Sequence, residues 1–413
     1  MKKLKFLAIC LVLIVSFSTI TSTMADSKID DPIYSKLASA GFYNYNTTSS
    51  AQSLNLSNEV TDVVSSYFNE RLTQYGRLEF EKNRLDAYIS SNASYKMQAT
   101  LKLMEAQISI LASSGDKLGF SNFDYSINYI SAQPSSLNTI ELCLYLNYDI
   151  EYNGFDGIVS SITKEPHKLT LILSNGGWLI YEHEMFNSIS IALEEKETSR
   201  QALDSYLANY VSSMVARNKS IENAVPLNID GTCEDAISII NSVQPTRAIN
   251  SYDRSDACSY ARTYANSDNP SPWHTFTADC TNFVSIALRK GGLPQDSSGS
   301  NTWYWNSRSD RSASWAGAKY LRPYLINNNS SSTSNTGVYA TSVSLSSCSR
   351  GDVVSFEAGG DIHHNAILTS YTTSGGWLLC QHSHSQGSKD VPLQTVIDWE
   401  EATVYYTHIK GYY

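Results

Sequence analysis

Residues 252–292 read YDRSDACSYARTYANSDNPSPWHTFTADCTNFVSIALRKGG, two helical patterns separated by a proline-bearing loop. In the first, 252–264, Ala257, Tyr260, Ala261 and Tyr264 fall on one face. In the second, Phe283, Val284, Ala287 and Leu288 keep the helical spacing, and Gly291-Gly292 stop it. Asp279 or Thr281 can cap this second helix, so Cys280 stands at or just before its N-terminus. A helix N-terminus favours negative charge and lowers a thiol pKa. Its free backbone N–H groups can also help form an oxyanion hole, and Asp279 and Thr281 are the residues that flank it. Taken alone, such a cysteine is more often a small buried hydrophobe packed under the helix.

A thiolate nucleophile also needs a base. Gly351-Asp352-Val353-Val354-Ser355-Phe356 reads as a turn entering a strand. Residues 361–368, DIHHNAIL, read as a second strand, and 377–382, WLLCQH, as a third after a Ser-Gly-Gly turn. Imidazoles on the last two strands allow one histidine to face Cys280 while another polar group orients it.

These stretches carry a resemblance. YDRSDACSYA, DCTNFVSIALRKGGLP, NTWYWNSRSDRSASW, GDVVSF, IHHNAIL and CQHSH resemble the bacterial amidase domain family of secreted Gram-positive proteins. That family is similar to the CHAP and NlpC-type papain-like cysteine hydrolases. The resemblance covers about two-fifths of the chain, residues 251–413, and implies a papain-like α+β hydrolase domain there. It places the nucleophile on Cys280, the general base on His364 and the orienting group on His382, with His384 competing for that last place. It also makes Trp303, Trp305 and Trp315 candidates for a substrate groove, although tryptophans are more often core residues. His363 should point away from His364, because neighbours on a strand face opposite sides. The resemblance implies cleavage of an amide or peptide bond, with cell-wall peptidoglycan as the substrate and without metal or organic cofactor.

Outside this segment the chain changes period. Val60, Val63, Val64, Tyr67, Phe68 and Leu72 mark one helix, and Met97, Leu101, Met104, Ile108 and Leu111 a second. Phe123, Tyr125, Ile127 and Tyr129 then alternate with polar residues, as do Leu142, Leu144, Leu146 and Tyr148. Runs at 168–173 and 178–183 flank Ser174-Asn175-Gly176-Gly177, a hairpin signal. Helices followed by an antiparallel meander predict an α+β accessory domain over 58–218, resembling a SnoaL-like cone in which a curved sheet wraps a helix. Its last helix, within 190–218, carries Leu203, Leu207, Val211 and Met214 on one face. His183, between Glu182 and Glu184, reads as part of an edge strand with solvated charges. Residues 26–57 read as a flexible segment and 219–250 as a linker containing Pro226 and Pro245.

The N-terminus predicts export. Lys2, Lys3 and Lys5 precede an apolar run over 6–20, and Thr23 and Ala25 suit a cleavage site before Asp26. The run is shorter than the ~20 residues of a membrane span. A secreted or cell-wall-associated bacterial protein is therefore expected. Net charge is −10, or −13 once the three leader lysines are removed, which excludes phosphate-driven nucleic-acid binding. Six cysteines follow the leader, at 143, 233, 258, 280, 348 and 380, too sparse for a small cross-linked module. A Cys348–Cys380 pair is conceivable.

The sequence also allows two rival readings. His363, His364, His382 and His384 could ligate zinc as a metallohydrolase. Alternatively, the Tyr- and Trp-rich surface could serve a non-catalytic wall- or glycan-binding protein with a vestigial site.

Overall fold

The computed structural model describes residues 32–42, 54–195, 200–230, 249–327, 337–383, 386–400 and 403–413. The expected leader, most of the 26–57 segment, residues 231–248 of the expected linker, Cys233 and His384 lie outside them.

The first helices are α1 (Pro32–Ser39), α2 (Asn58–Arg77), α3 (Lys82–Leu85) and α4 (Tyr95–Ala112). Strands β1 (Phe120–Ser136), β2 (Thr139–Tyr152), β3 (Ser160–Ser174) and β4 (Gly177–Met185) follow, then helices α5 (Ser188–Glu195) and α6 (Arg200–Glu222). The second half contains α7 (Arg254–Tyr264), α8 (Cys280–Lys290), α9 (Ala313–Ala316) and α10 (Ala318–Asn327). It ends with β5 (Val338–Val343), β6 (Val353–Ala358), β7 (Asp361–Thr372), β8 (Gly376–Ser383), β9 (Gln386–Pro392), α11 (Leu393–Glu400) and β10 (Thr403–Tyr412). The protein is thus of mixed α+β class with antiparallel sheet, as expected.

Local chemistry explains the elements. Ser57 and Ser94 cap α2 and α4, their hydroxyls accepting from Val60 N and Met97 N. The β3–β4 hairpin turns at Asn175 and Gly176, with φ of 52° and 85°. Two consecutive left-handed residues are what a tight hairpin needs, and Asn-Gly reaches them at low cost.

The strands form one sheet in the order β1-β2-β3-β9-β8-β7-β6-β10-β5, with β4 also on β3. β3 divides its edge. Residues 161–163 pair with 387–389 of β9, whereas 167–174 pair with β4. Lys164, at φ 59°, lies at the fork. The strands before and after the expected linker therefore share one hydrogen-bonded sheet.

Both faces of its second half are covered. Val354, Phe356, Ala366, Leu368, Leu379 and Val391 join a cluster that runs on to Phe68, Met104 and Leu144. Val353, Ile367, Cys380 and Ile409 face the other way, onto Ala257, Phe283, Val284 and Leu288 of α7 and α8. Such two-sided burial makes these strands near-continuous apolar runs with period two in their contacts.

Two expectations need correction here. Cys348 and Cys380 are both free, buried thiols, as are Cys143, Cys258 and Cys280. His183 is fully buried rather than part of a solvated edge. Alternation does send Glu182 and Glu184 outward to Lys96, but it drives the imidazole between them into the interior, against Tyr67 and His167.

Candidate active site

Cys280 is the first residue of α8 and is 8% exposed. The first N–H groups of a helix have no intrahelical acceptor, so they point past this residue toward the loop. Asp279 occupies the N-cap position without capping through its side chain. Its carboxylate instead turns back, accepting from Phe276 N, Asn282 Nδ2, Asn269 Nδ2 and His382 Nδ1, each at 2.8 Å. Asp279 thereby ties the 269–276 loop to the start of the helix and fixes where Cys280 stands.

β7 supplies the imidazole. Phe356 pairs with His364 and Glu357 with Ile362, so His363 is the extra residue of a bulge. His363 is exposed and His364 is 3% exposed, as their expected opposition requires. Burial raises the Cys280 thiol pKa. The hydrogen bond and charge of His364, the Thr281 hydroxyl and the Asn365 backbone N–H more than offset this and hold it below its ordinary value. Cys280 and His364 are therefore brought together.

Asn365 locks this geometry. Its Nδ2 donates to Thr281 Oγ1 at 3.0 Å and to Ala318 O at 3.2 Å, and its Oδ1 accepts from Ser355 Oγ at 2.7 Å. One buried amide so clamps β7 to α8, α10 and β6. Thr281 is fully buried and serves as an anchor and as a neighbour of the sulfur, 3.5 Å away.

The third position differs from expectation. His364 Nε2 lies 2.8 Å from Gln381 Oε1, so the amide of Gln381 orients the ring. His382 points to the other face of β8. Its Nδ1 lies 2.8 Å from Asp279 Oδ2 and its Nε2 2.9 Å from Tyr264 O, while the ring stacks on Phe283 at 4.1 Å. His382 is a strut beneath α8, bridging Asp279 and Tyr264.

The tryptophans are also placed differently. Trp303 and Trp315 are fully buried. Their indole N–H groups donate to Ser285 Oγ at 3.0 Å and Asn282 Oδ1 at 2.8 Å. Trp305, 6% exposed, packs near Trp273 and Phe276. Trp303 and Trp315 wedge α8 in place and are core residues. Among the described residues no group of three His, Cys, Asp or Glu side chains is arranged to hold a metal ion.

Fold and site together define an α+β domain that sets a buried Cys–His pair, oriented by an amide, at a helix N-terminus. Residues 251–407 match the model of a family described as "Putative amidase domain", which supports an amidase-like domain and amide hydrolysis in general. The chain is 33% identical over 123 residues to the uncharacterized protein YhbB of Bacillus subtilis, covering 29% of this chain and 37% of that protein. It is 24% identical over 231 residues to the uncharacterized protein YjcM of the same organism, covering 53% of this chain and 51% of that one. The chain thus spans between about a third and a half of the length of these relatives.

Among solved structures, a putative scytalone dehydratase from Novosphingobium aromaticivorans covers 30% of this chain and 80% of its own, at 12% identity and a TM-score of 0.21. A hexachlorocyclohexane dehydrochlorinase, LinA Type2, covers 30% and 82%, at 8% identity and a TM-score of 0.22. Scores this low carry no argument about the fold.

Proposed function

We propose that residues 251–413 form a cysteine amidase of papain-like type, with Cys280 as nucleophile, His364 as base and Gln381 in the orienting place. The observation that carries this reading is the line Cys280–His364–Gln381 at the start of α8. Gln381 Oε1 can only accept, so His364 Nε2 carries the proton and Nδ1 is left to take one from the thiol. The thiolate attacks an amide carbonyl, and first-turn N–H groups of α8 stabilise the oxyanion. His364 protonates the leaving amine, and water then hydrolyses the thioester.

The apolar leader and the resemblance support export and a substrate in the peptide part of the cell wall. No helix among the described residues is long and apolar enough to cross a membrane. The segment over 58–218 is proposed as an accessory domain.

Limiting iodoacetamide at pH 6.5 tests the pair. An ordinary thiol, with pKa about 8.5, is almost wholly protonated there. Peptide mapping should find Cys280 alkylated ahead of Cys143, Cys258, Cys348 and Cys380, with the preference lost in His364→Ala. Peptidoglycan fragments should be cleaved by the wild type and not by Cys280→Ala. An unreactive Cys280 in the folded protein would sink the reading and favour a binding protein with a vestigial site.

A further inference from the structure

A second group of buried polar side chains lies away from Cys280, in a cavity of about 120 Å³. Its wall includes Arg71, Tyr75, Tyr148, Glu165, His167 and Gln381. A cavity of ~150 Å³ takes up a six-carbon ring, so a molecule of a few heavy atoms fits this one.

The Arg71 guanidinium is 6% exposed, and among the described residues no carboxylate lies within ion-pair distance of it. Among the described residues its Nη2 donates only to the Met185 sulfur, at 3.4 Å, a weak acceptor. Its Nη1 begins a chain of one polarity, because a guanidinium only donates. Nη1 donates to Tyr67 Oη at 3.3 Å, and the Tyr67 hydroxyl donates to His183 Nδ1 at 2.9 Å. Burial, with Arg71 and His167 adding to it, pushes His183 well below its ordinary pKa, so the ring is neutral. Its proton then sits on Nε2 and is donated to His167 Nδ1 at 2.9 Å. His167, accepting at Nδ1, consequently carries a proton on Nε2. That N–H is buried and has no hydrogen-bond acceptor among the described residues. Glu165 Oε2, 3.3 Å away, is out of line for one.

The cavity so holds an arginine without a carboxylate, an imidazole N–H without an acceptor, and one carboxylate. A buried charge with no opposite charge in contact is costly unless something completes it, and among the described residues Arg71 is such a charge. We propose that the cavity binds a free α-amino acid, whose carboxylate accepts from Arg71 Nη2 and His167 Nε2–H and whose ammonium donates to Glu165. A zwitterion supplies both charges in a few atoms and leaves the site neutral overall. The cavity is distinct from Cys280, and Gln381, which holds His364, forms part of its wall.

Titration calorimetry on the full Cys280→Ala protein tests this without any chemistry at the thiol. The probes are L-alanine and D-alanine, compared with propionate, which lacks the ammonium, and alaninamide, which lacks the carboxylate. One enantiomer of alanine should bind at least about tenfold tighter than both comparators, the factor for one lost charge-assisted hydrogen bond. Arg71→Met should lose that binding. Propionate or alaninamide binding as tightly as alanine overturns the proposal, as does absence of alanine binding or its survival in Arg71→Met. If Arg71→Met does not fold, the comparison among the four probes decides by itself.

Discussion

Gln381 on β8 holds His364 on β7 through a 2.8 Å contact between Oε1 and Nε2, and both side chains are buried. A neutral amide fixes the ring and its tautomer without adding charge. Removing it takes away the 2.8 Å acceptor that fixes the His364 Nε2–H. Gln381→Ala should therefore lower kcat about a hundredfold with KM little changed, the cost of a misplaced catalytic group. His382→Gln should act through stability, because that ring supports α8. A Gln381→Ala enzyme with full kcat would remove Gln381 from the mechanism.

Asp352 is the buried anchor behind the sheet. Arg254 Nη1 donates to its Oδ1 at 2.7 Å, His408 Nδ1 and Ser349 N to its Oδ2 at 2.7 and 2.8 Å, and Ile409 N to Oδ1 at 3.0 Å. Burial raises the Asp352 pKa, but Arg254 and His408 bring it below the ordinary carboxylate value. A depressed folded pKa gives stability that is present above the unfolded value near 4 and lost as pH falls through the folded one. Asp352→Asn puts a donor where only donors arrive and uncovers the Arg254 charge, at a cost of about 3–5 kcal/mol. Urea unfolding at pH 7 should show that loss, and the variant should also lose less than the wild type on acidification below pH 4.

Much of this was readable in the residues. Period 3.6 marked α2, α4, α7 and α8, and period two with Asn175-Gly176 marked β1–β4, since these patterns are what one-sided burial imposes. The Cys280–His364 approach followed from a helix start and a strand start. The orienting residue did not. A shift in the pairing of β7 and β8 between Leu368 and Ser370 sets which β8 side chain shares a face with His364, and a one-residue slip exchanges Gln381 for His382. β9, with the sequence QGSKDVP, is polar, so nothing in its pattern announces that it joins β3. The relay through His183 was missed because flanking glutamates mask a buried imidazole when only composition is read.

Asp398 on α11 should make stability depend on pH. Burial pushes its carboxyl up to about 8, with Asn218 and Arg217 pulling only partly back. Among the described residues its Oδ1 has no hydrogen-bond partner, and Asn218 Nδ2 reaches Oδ2 at 3.4 Å. The folded form binds a proton that the unfolded chain releases near pH 4. This contribution is therefore full below about pH 4 and is lost as pH rises toward 8, at no more than roughly 1.4 kcal/mol per unit. Asp398→Asn mimics the protonated form. Urea midpoints at pH 5 and pH 8 should lie closer together in the variant than in the wild type, and an unchanged gap would show that Asp398 is ionised throughout.

Gly387 stands where β9 joins the two parts of the sheet. It pairs with Thr163 of β3 on one side and His382 of β8 on the other. A Cβ placed there would fall 2.1 Å from Ala265 O and 2.9 Å from Thr163 Oγ1. The first obstacle is backbone just past α7, so relief means moving that chain or β9, and either shift reaches His382 and the Tyr264 carbonyl it holds. Overpacking of this kind costs about 1–3 kcal/mol. Gly177→Ala is the control, because nothing lies within 4 Å of its added carbon. Thermal unfolding should show a clear loss for Gly387→Ala and a change within about 0.5 kcal/mol for Gly177→Ala. Alkylation of Cys280 should also lose its lead over the other thiols in Gly387→Ala, since the strut that sets α8 is displaced. Equal melting of the two variants would mean that α7 and β9 approach less closely than this packing requires.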